Sequence, residues 1–185
     1  MCGDRGAANG MHEMREMYEH LETHFYGKYR GRVVDNRDPT RRGRLKVRVP
    51  AVMGEEEVWA LPCAPYAGDG VGLFLLPEAD TGVWVEFEAG DPSFPIWTGC
   101  FWGDGQIPDR DAEPKIKFLR TGKVTLRIDD EAGELVVEVD GGSRLKITAA
   151  EIEEESASIT HRSGGKKTAL TSAHFDVHDG ALTVV

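Results

Sequence analysis

His174-Phe175-Asp176-Val177-His178 sets two imidazoles and a carboxylate at every second position. In a strand those three side chains share one face, because the side-chain period is two. Around a three-fold axis such a row could present three or six imidazoles to one ion. The competing reading sends the row to solvent and Phe175 and Val177 to the core. The apolar residues need the inside, so the second reading is the better supported, and His174 and His178 stay as metal candidates only. Paired carboxylates of the kind used in glycoside hydrolysis occur at Glu86/Glu88, Asp129/Asp130 and Glu153 to Glu155. They fall on expected solvent faces or turns, where solvation accounts for them. Cys2, Cys63 and Cys100 form no CxxC pair and have no local histidine. Their spacing reads as free thiols in a reducing compartment, with Cys63 and Cys100 expected in a core. His12, His20 and His24 read as surface histidines. There is no GxSxG, P-loop, HExxH or EF-hand loop. The expectation is no catalytic residue, no cofactor and no enzymatic activity.

The elements around these residues are mostly strands. Residues 1–10 are small and polar and are expected to be disordered. Over residues 11–25, Met11, Met14, Tyr18, Leu21 and Phe25 recur at steps of three and four and predict an amphipathic helix. One short helix cannot bury that stripe alone, so it must pack on the rest of the chain or on another subunit. From residue 27 to 105, short alternating runs separated by turn residues predict five or six barrel strands. The runs are Tyr29 to Val34, Leu45 to Val49, Val58 to Leu61, Val71 to Leu76, Val83 to Phe87 and Pro95 to Phe101. Asn36 through Gly43 is a turn. The aromatic residues Trp84, Phe94, Trp97 and Trp102 are divided between barrel core and subunit contacts. Residues 106–120, with Pro108 and Pro114, read as a polar connector.

From residue 121 to 185 the pattern changes to strand plus turn at a spacing near ten. Val124, Leu126 and Ile128 alternate; so do Leu135, Val137 and Val139, then Leu145 and Ile147, and later Phe175 and Val177, then Leu182 and Val184. Phe175 is the only Phe, Trp or Tyr in this tail. One copy would expose a narrow apolar stripe and could not offset the entropy of ordering it. The residues named are therefore candidates for the core of an obligate self-assembly, and a trimeric β-prism is the simplest closed form. The fold class expected is all-β: an OB-type barrel, a short N-terminal helix and an intertwined trimeric β-helix.

The chain has 185 residues and a formal charge of −10. Residues 28–48 hold nine Lys/Arg against Asp35 and Asp38, whereas 49–109 hold eleven Asp/Glu and no Lys or Arg. Either the module is dipolar and docks a complementary partner, or a basic strand pair simply faces acidic neighbours. An OB barrel with Arg41, Arg42, Arg44, Tyr29 and Trp84 could bind single-stranded nucleic acid. The acidic balance weighs against it, since phosphate contact dominates such affinity. No apolar run approaches a membrane span, and the N-terminus has no signal-peptide h-region.

Residues 27–34 (Gly-Lys-Tyr-Arg-Gly-Arg-Val-Val), Asp38-Pro39, 43–50 (Gly-Arg-Leu-Lys-Val-Arg-Val-Pro) and Trp59-Ala60 resemble the OB domain of phage baseplate spike proteins. So do Leu76-Pro77, 82–88 (Gly-Val-Trp-Val-Glu-Phe-Glu) and 90–99 (Gly-Asp-Pro-Ser-Phe-Pro-Ile-Trp-Thr-Gly). That family includes baseplate assembly protein V and the VgrG spikes of type VI secretion. Thr121-Gly122 through Gly133 also resembles the start of their trimeric β-helix. The resemblance implies a non-enzymatic homotrimeric spike, assembled in the cytoplasm into a phage tail-like particle, with no nucleic-acid partner. A hub protein would sit on the N-terminal side and a PAAR-type tip protein at the end near Val185. A target membrane would be touched only during piercing. About 26 residues precede the barrel, so the large hub domain of VgrG belongs to another chain. The lysozyme domain of some phage spikes has no counterpart here. Simple spikes hold iron through a His-x-His pair; His174 and His178 are four apart.

Overall fold

The computed structural model describes residues 5–178 and 180–184 and divides the chain into two compact units, residues 1–104 and 105–185. Cys2 lies outside the described residues. Among the described residues no helix is long and apolar enough to cross a membrane.

The first unit opens with helix α1 (Arg5–Thr23). It begins six residues before the apolar stripe, so residues 5–10 are helical rather than disordered; Ala7 and Ala8 are strong helix formers. The helix ends as the Thr23 hydroxyl donates to the Glu19 carbonyl (2.8 Å) and Phe25 N–H leaves the helical ladder for Gly90 O (2.7 Å). The strands of this unit are β1 (Tyr29–Asp35), β2 (Leu45–Arg48), β3 (Glu57–Pro62), the two-residue β4 (Ala67–Gly68) and β5 (Val71–Gly72), β6 (Gly82–Phe87) and β7 (Pro95–Cys100). A single helical turn, α2 (Pro50–Met53), starts with its proline where the missing N–H costs nothing.

Five strands close a barrel in the order β1-β2-β3-β7-β6, consistent with the OB fold. Pairing is antiparallel except between β3 and β7. Alternation puts Val33, Leu45, Val47, Val83 and Val85 wholly inside, joined by Val49, Ala60, Phe87 and Trp97. Gly31 suits this packing, because a Cβ there would press on Val85 (3.1 Å) and the Arg48 carbonyl oxygen (3.2 Å). The run from Val71 to Leu76 is not a barrel strand. Val71 and Gly72 form a small hairpin with Ala67 and Gly68, and Leu73 to Leu75 lie exposed beyond it. Gly70 (φ +68°) and Gly72 (φ +153°) turn the chain out of the extended path its apolar residues suggest.

The second unit consists of two antiparallel meanders. The first holds β8 (Ile116–Arg120), β9 (Val124–Asp129), β10 (Glu134–Val139), β11 (Ser143–Ile147) and β12 (Ile152–Glu155), paired in chain order. The second holds β13 (Ser158–Ser163), β14 (Lys166–Thr171), β15 (Phe175–Val177) and β16 (Leu182–Val184), again in order. Ile116–Arg120 is thus a strand inside the stretch that reads as connector. It bonds to β9 from Ile116↔Asp129 to Arg120↔Thr125.

Candidate assembly surfaces

The barrel's charge pattern resolves into local pairs. Lys28 bonds Glu86 (2.7 Å), Lys46 bonds Glu57 (3.0 Å) and Arg48 bonds Glu57 (2.9 Å). The basic strands therefore face acidic neighbours across the sheet. Arg30 stacks over Trp84 and Phe101 (5.6 and 5.4 Å to the ring centroids).

The β1–β2 turn is organised by one carboxylate that its sequence pattern does not single out. Asp38 accepts from Thr40 N–H (2.9 Å), from Arg42 N–H (2.8 Å) and from the Arg44 guanidinium (Nη2 2.8 Å, Nε 3.0 Å). The Arg44 bond, aided by those backbone donors, holds its carboxyl far below the usual carboxylate range. Asp-Pro-Thr at the head of a turn is the local signal that could have revealed it. Arg41 and Arg42 remain exposed and border an apolar trough of about 730 Å³. Leu73, Phe74 and Leu75 line it together with Tyr66; Phe74 is 72% exposed. Of the four candidate aromatic residues, Trp97 is buried and bonds Gly43 O (3.2 Å). Trp84 is half-buried, while Phe94 and Trp102 are exposed.

The segment just past the end of helix α1 packs on the barrel. Phe25 packs with Tyr29 and Phe87. The His20 ring bonds the Tyr26 hydroxyl (2.9 Å) and lies 3.7 Å from the His24 ring; His20 is exposed, as expected, and His24 is half-buried beside it. Gly90 (φ +83°) sits beneath them, where a Cβ would meet Tyr26 at 2.9 Å. Met11, Met14, Tyr18 and Leu21 are all more than half exposed.

In the second unit the usual burial order is inverted. Across the first meander, Leu119, Leu126, Val137 and Leu145 stand in one row. Ile128, Leu135, Ile147 and Ile152 form the next, and Val124 pairs with Val139. Residues directly opposite share a face, so all ten lie on one mainly apolar face, with Lys117 opposite Ile128 and Glu154 opposite Leu145 at its edges. Leu126 is 36% exposed, Val139 46% and Ile152 67%; Leu135, Val137, Leu145 and Ile147 are half-buried. The second meander repeats the pattern, with Ile159, Leu170, Phe175 and Val184 in one row and Thr168, Val177 and Leu182 in the next. Leu170, Phe175, Leu182 and Val184 are exposed.

The opposite face of the first meander is polar, and it is the covered one. Pro108 and a short 3-10 turn, Asp109–Asp111, bring the carboxylate of Asp111 onto it. This side chain is fully buried and accepts from Arg120 Nη2 (2.8 Å) and Arg127 Nε (3.3 Å). Desolvation pushes the Asp111 carboxyl up, but the bonds and charge of Arg120 and Arg127 outweigh it and hold the group below its ordinary range. Val136 is buried on the same face. Lys146–Glu134 (2.8 Å) and Arg144–Glu138 (3.3 Å) extend the ladder, and Lys115–Glu131 and Lys117–Asp130 pair at the sheet's end.

The residues that could do chemistry are not brought together. Strand β15 ends at Val177, and His178 lies beyond it at φ +53°, so it does not continue the His174 and Asp176 row. Among the described residues no three His, Cys, Asp or Glu side chains cluster to hold a metal. Cys63 and Cys100 are exposed, not core residues. Cys63 follows the last residue of β3 and Cys100 ends β7, where inward alternation has stopped. Although Cys100 is exposed as a residue, the desolvation its thiol does experience pushes its pKa up, away from thiolate reactivity.

Residues 29–102 match the family model of the type VI secretion system/phage-baseplate injector OB domain, a structural baseplate domain. The match covers the barrel and supports a structural baseplate role within the spike-related proteins of such machines. No curated protein matches the chain.

Proposed function

We propose that this chain is the central spike of a contractile injection machine, acting as a homotrimer and without enzymatic activity. The observation that carries this reading is the uncovered apolar face within residues 116–184 of a chain whose barrel matches the injector OB domain. A sheet that covers its charged face and leaves six of ten aliphatic side chains exposed and the other four half-buried lacks half of its core. Three copies wound about a common axis would supply that half and satisfy the open strand edges across chains. The barrels would form a collar. Its trough at Tyr66 and Leu73 to Leu75 suits a surface covered in an assembly. A hub protein on the N-terminal side and a tip protein of the PAAR type at the far end complete the scheme. The particle would be assembled in the cytoplasm and meet a target membrane only on firing.

The rival reading is an OB-fold protein for single-stranded nucleic acid, and exposed Arg41 and Arg42 beside an apolar trough speak for it. Lys28, Lys46 and Arg48 speak against it, since each is already committed to a glutamate. Light scattering on the purified chain tests the proposal. A mass three times the 20.4 kDa subunit, stable to dilution, is the expected result. A folded monomer that binds single-stranded DNA in a salt-sensitive manner would replace the spike with the rival.

A further inference from the structure

We infer that helix α1 is one strand of a parallel coiled coil formed with the α1 helices of the other copies of this chain. The inference rests on the trimer proposed above and adds a second, separate self-recognition surface to it.

Three observations lead there. Within the helix the apolar positions Met11, Met14, Tyr18 and Leu21 step by three, four and three. Those are the a and d positions of two heptads. The stripe is also bare. Met11 is 70% exposed, Met14 52%, Tyr18 60% and Leu21 56%, while Phe25, which packs on Phe87, lies past the end of the helix. Finally, the other face is built for water: Arg15 pairs with Glu19 (2.8 Å) and His12 lies 3.6 Å from Glu16. A 19-residue helix with no cover on its apolar side is marginal in water.

The flanking positions allow identical helices to lie side by side in register. In a parallel, in-register pair the residue before each a position faces the residue after the next d position of its neighbour. Met17 then meets Glu22 of another copy, and Gly10 meets Arg15. No like charges oppose each other along the seam. Tails that already hold three copies together raise the local concentration of the helices to the millimolar range, roughly, so a seam of two heptads suffices.

The test is disulfide trapping in the full chain with Cys2, Cys63 and Cys100 changed to serine. Met14→Cys places a thiol in the seam and Glu16→Cys places one on the outer face. Under mild oxidation Met14→Cys is expected to give a covalent dimer on a non-reducing gel at least tenfold more efficiently than Glu16→Cys, with a trimeric mass by light scattering. A trimeric mass with no cross-link at position 14, or with equal cross-linking at both positions, overturns the coiled coil and leaves the spike standing. A monomeric mass with no cross-link overturns both.

Discussion

Asp111 shows how much one side chain can decide. It is the only buried polar or charged residue among those described, and it pins the segment before β8 to the charged side of the meander through Arg120 and Arg127. Asp111→Asn keeps the shape and removes the charge. Both arginines are partly exposed and can rehydrate, so the expected cost is roughly 2 kcal/mol, in the range for hydrogen bonds to charged groups; chemical denaturation of the variant measures it. Acid should act the same way on the native chain. Asp38, Asp91, Asp111 and Asp129 are all held below their ordinary values, by Arg44, by Ser93 N–H, by Arg120 and by Ala132 N–H respectively. A depressed folded-state pKa contributes stability above the unfolded value of about 3.9 and loses it as pH falls toward the folded value. Stability is therefore expected to fall from about pH 4 downward, and less steeply in Asp111→Asn, as melting temperatures across a pH series would show. Neither aspartate was legible in the sequence. Asp38 precedes Pro39 and Asp111 lies three residues from both Pro108 and Pro114, and their partners are fixed by the turn in one case and by strand register in the other.

At the scale of elements, the barrel strands were readable because β1, β2, β6 and β7 bury alternate residues, and alternation is what a sequence displays directly. Leu45 belongs to this set and is fully buried. Leu45→Ala is expected to destabilise the barrel by about 2–5 kcal/mol, with no change in the mass of the assembly; denaturation and light scattering together check both halves of that statement. The segment from Val71 to Leu76 misled for the opposite reason. Its composition is apolar enough for a strand, yet the glycines divert it and leave Leu73 to Leu75 facing outward. The strand at Ile116–Arg120 was hidden by its position after Pro114 and by its short length. In the tail, alternation identified Val124, Leu126 and Ile128 as one face. The same reading expected a single copy to leave that stripe exposed; what alternation does not disclose is that the opposite, charged face is the covered one, because its cover comes from a turn with little periodicity of its own.

At the scale of the whole molecule, the chain carries more apolar surface than it can cover. Helix, trough and both meanders each present it, while much of the charge is spent in pairs. Leu126→Asp tests the balance. On the proposed spike it puts a carboxylate into a shared core, and the expected outcome is loss of the trimeric mass, leaving the barrel folded by near-ultraviolet circular dichroism. A variant that keeps its trimeric mass would show that this face is not the contact.

The bare face of the tail also bears on how the protein is made. Barrel residues leave the ribosome first and hold a complete core within themselves. Tail residues follow, and on the proposed trimer a lone chain has no cover for its apolar face until two more copies arrive. The nearest copies are those being translated from the same message. Soluble yield is therefore expected to rise more steeply than in proportion to expression level, with sparse chains lost to proteases that cut in the tail and spare the barrel. Pulse-chase labelling across a range of promoter strengths would reveal that threshold, and a strictly proportional yield would deny it.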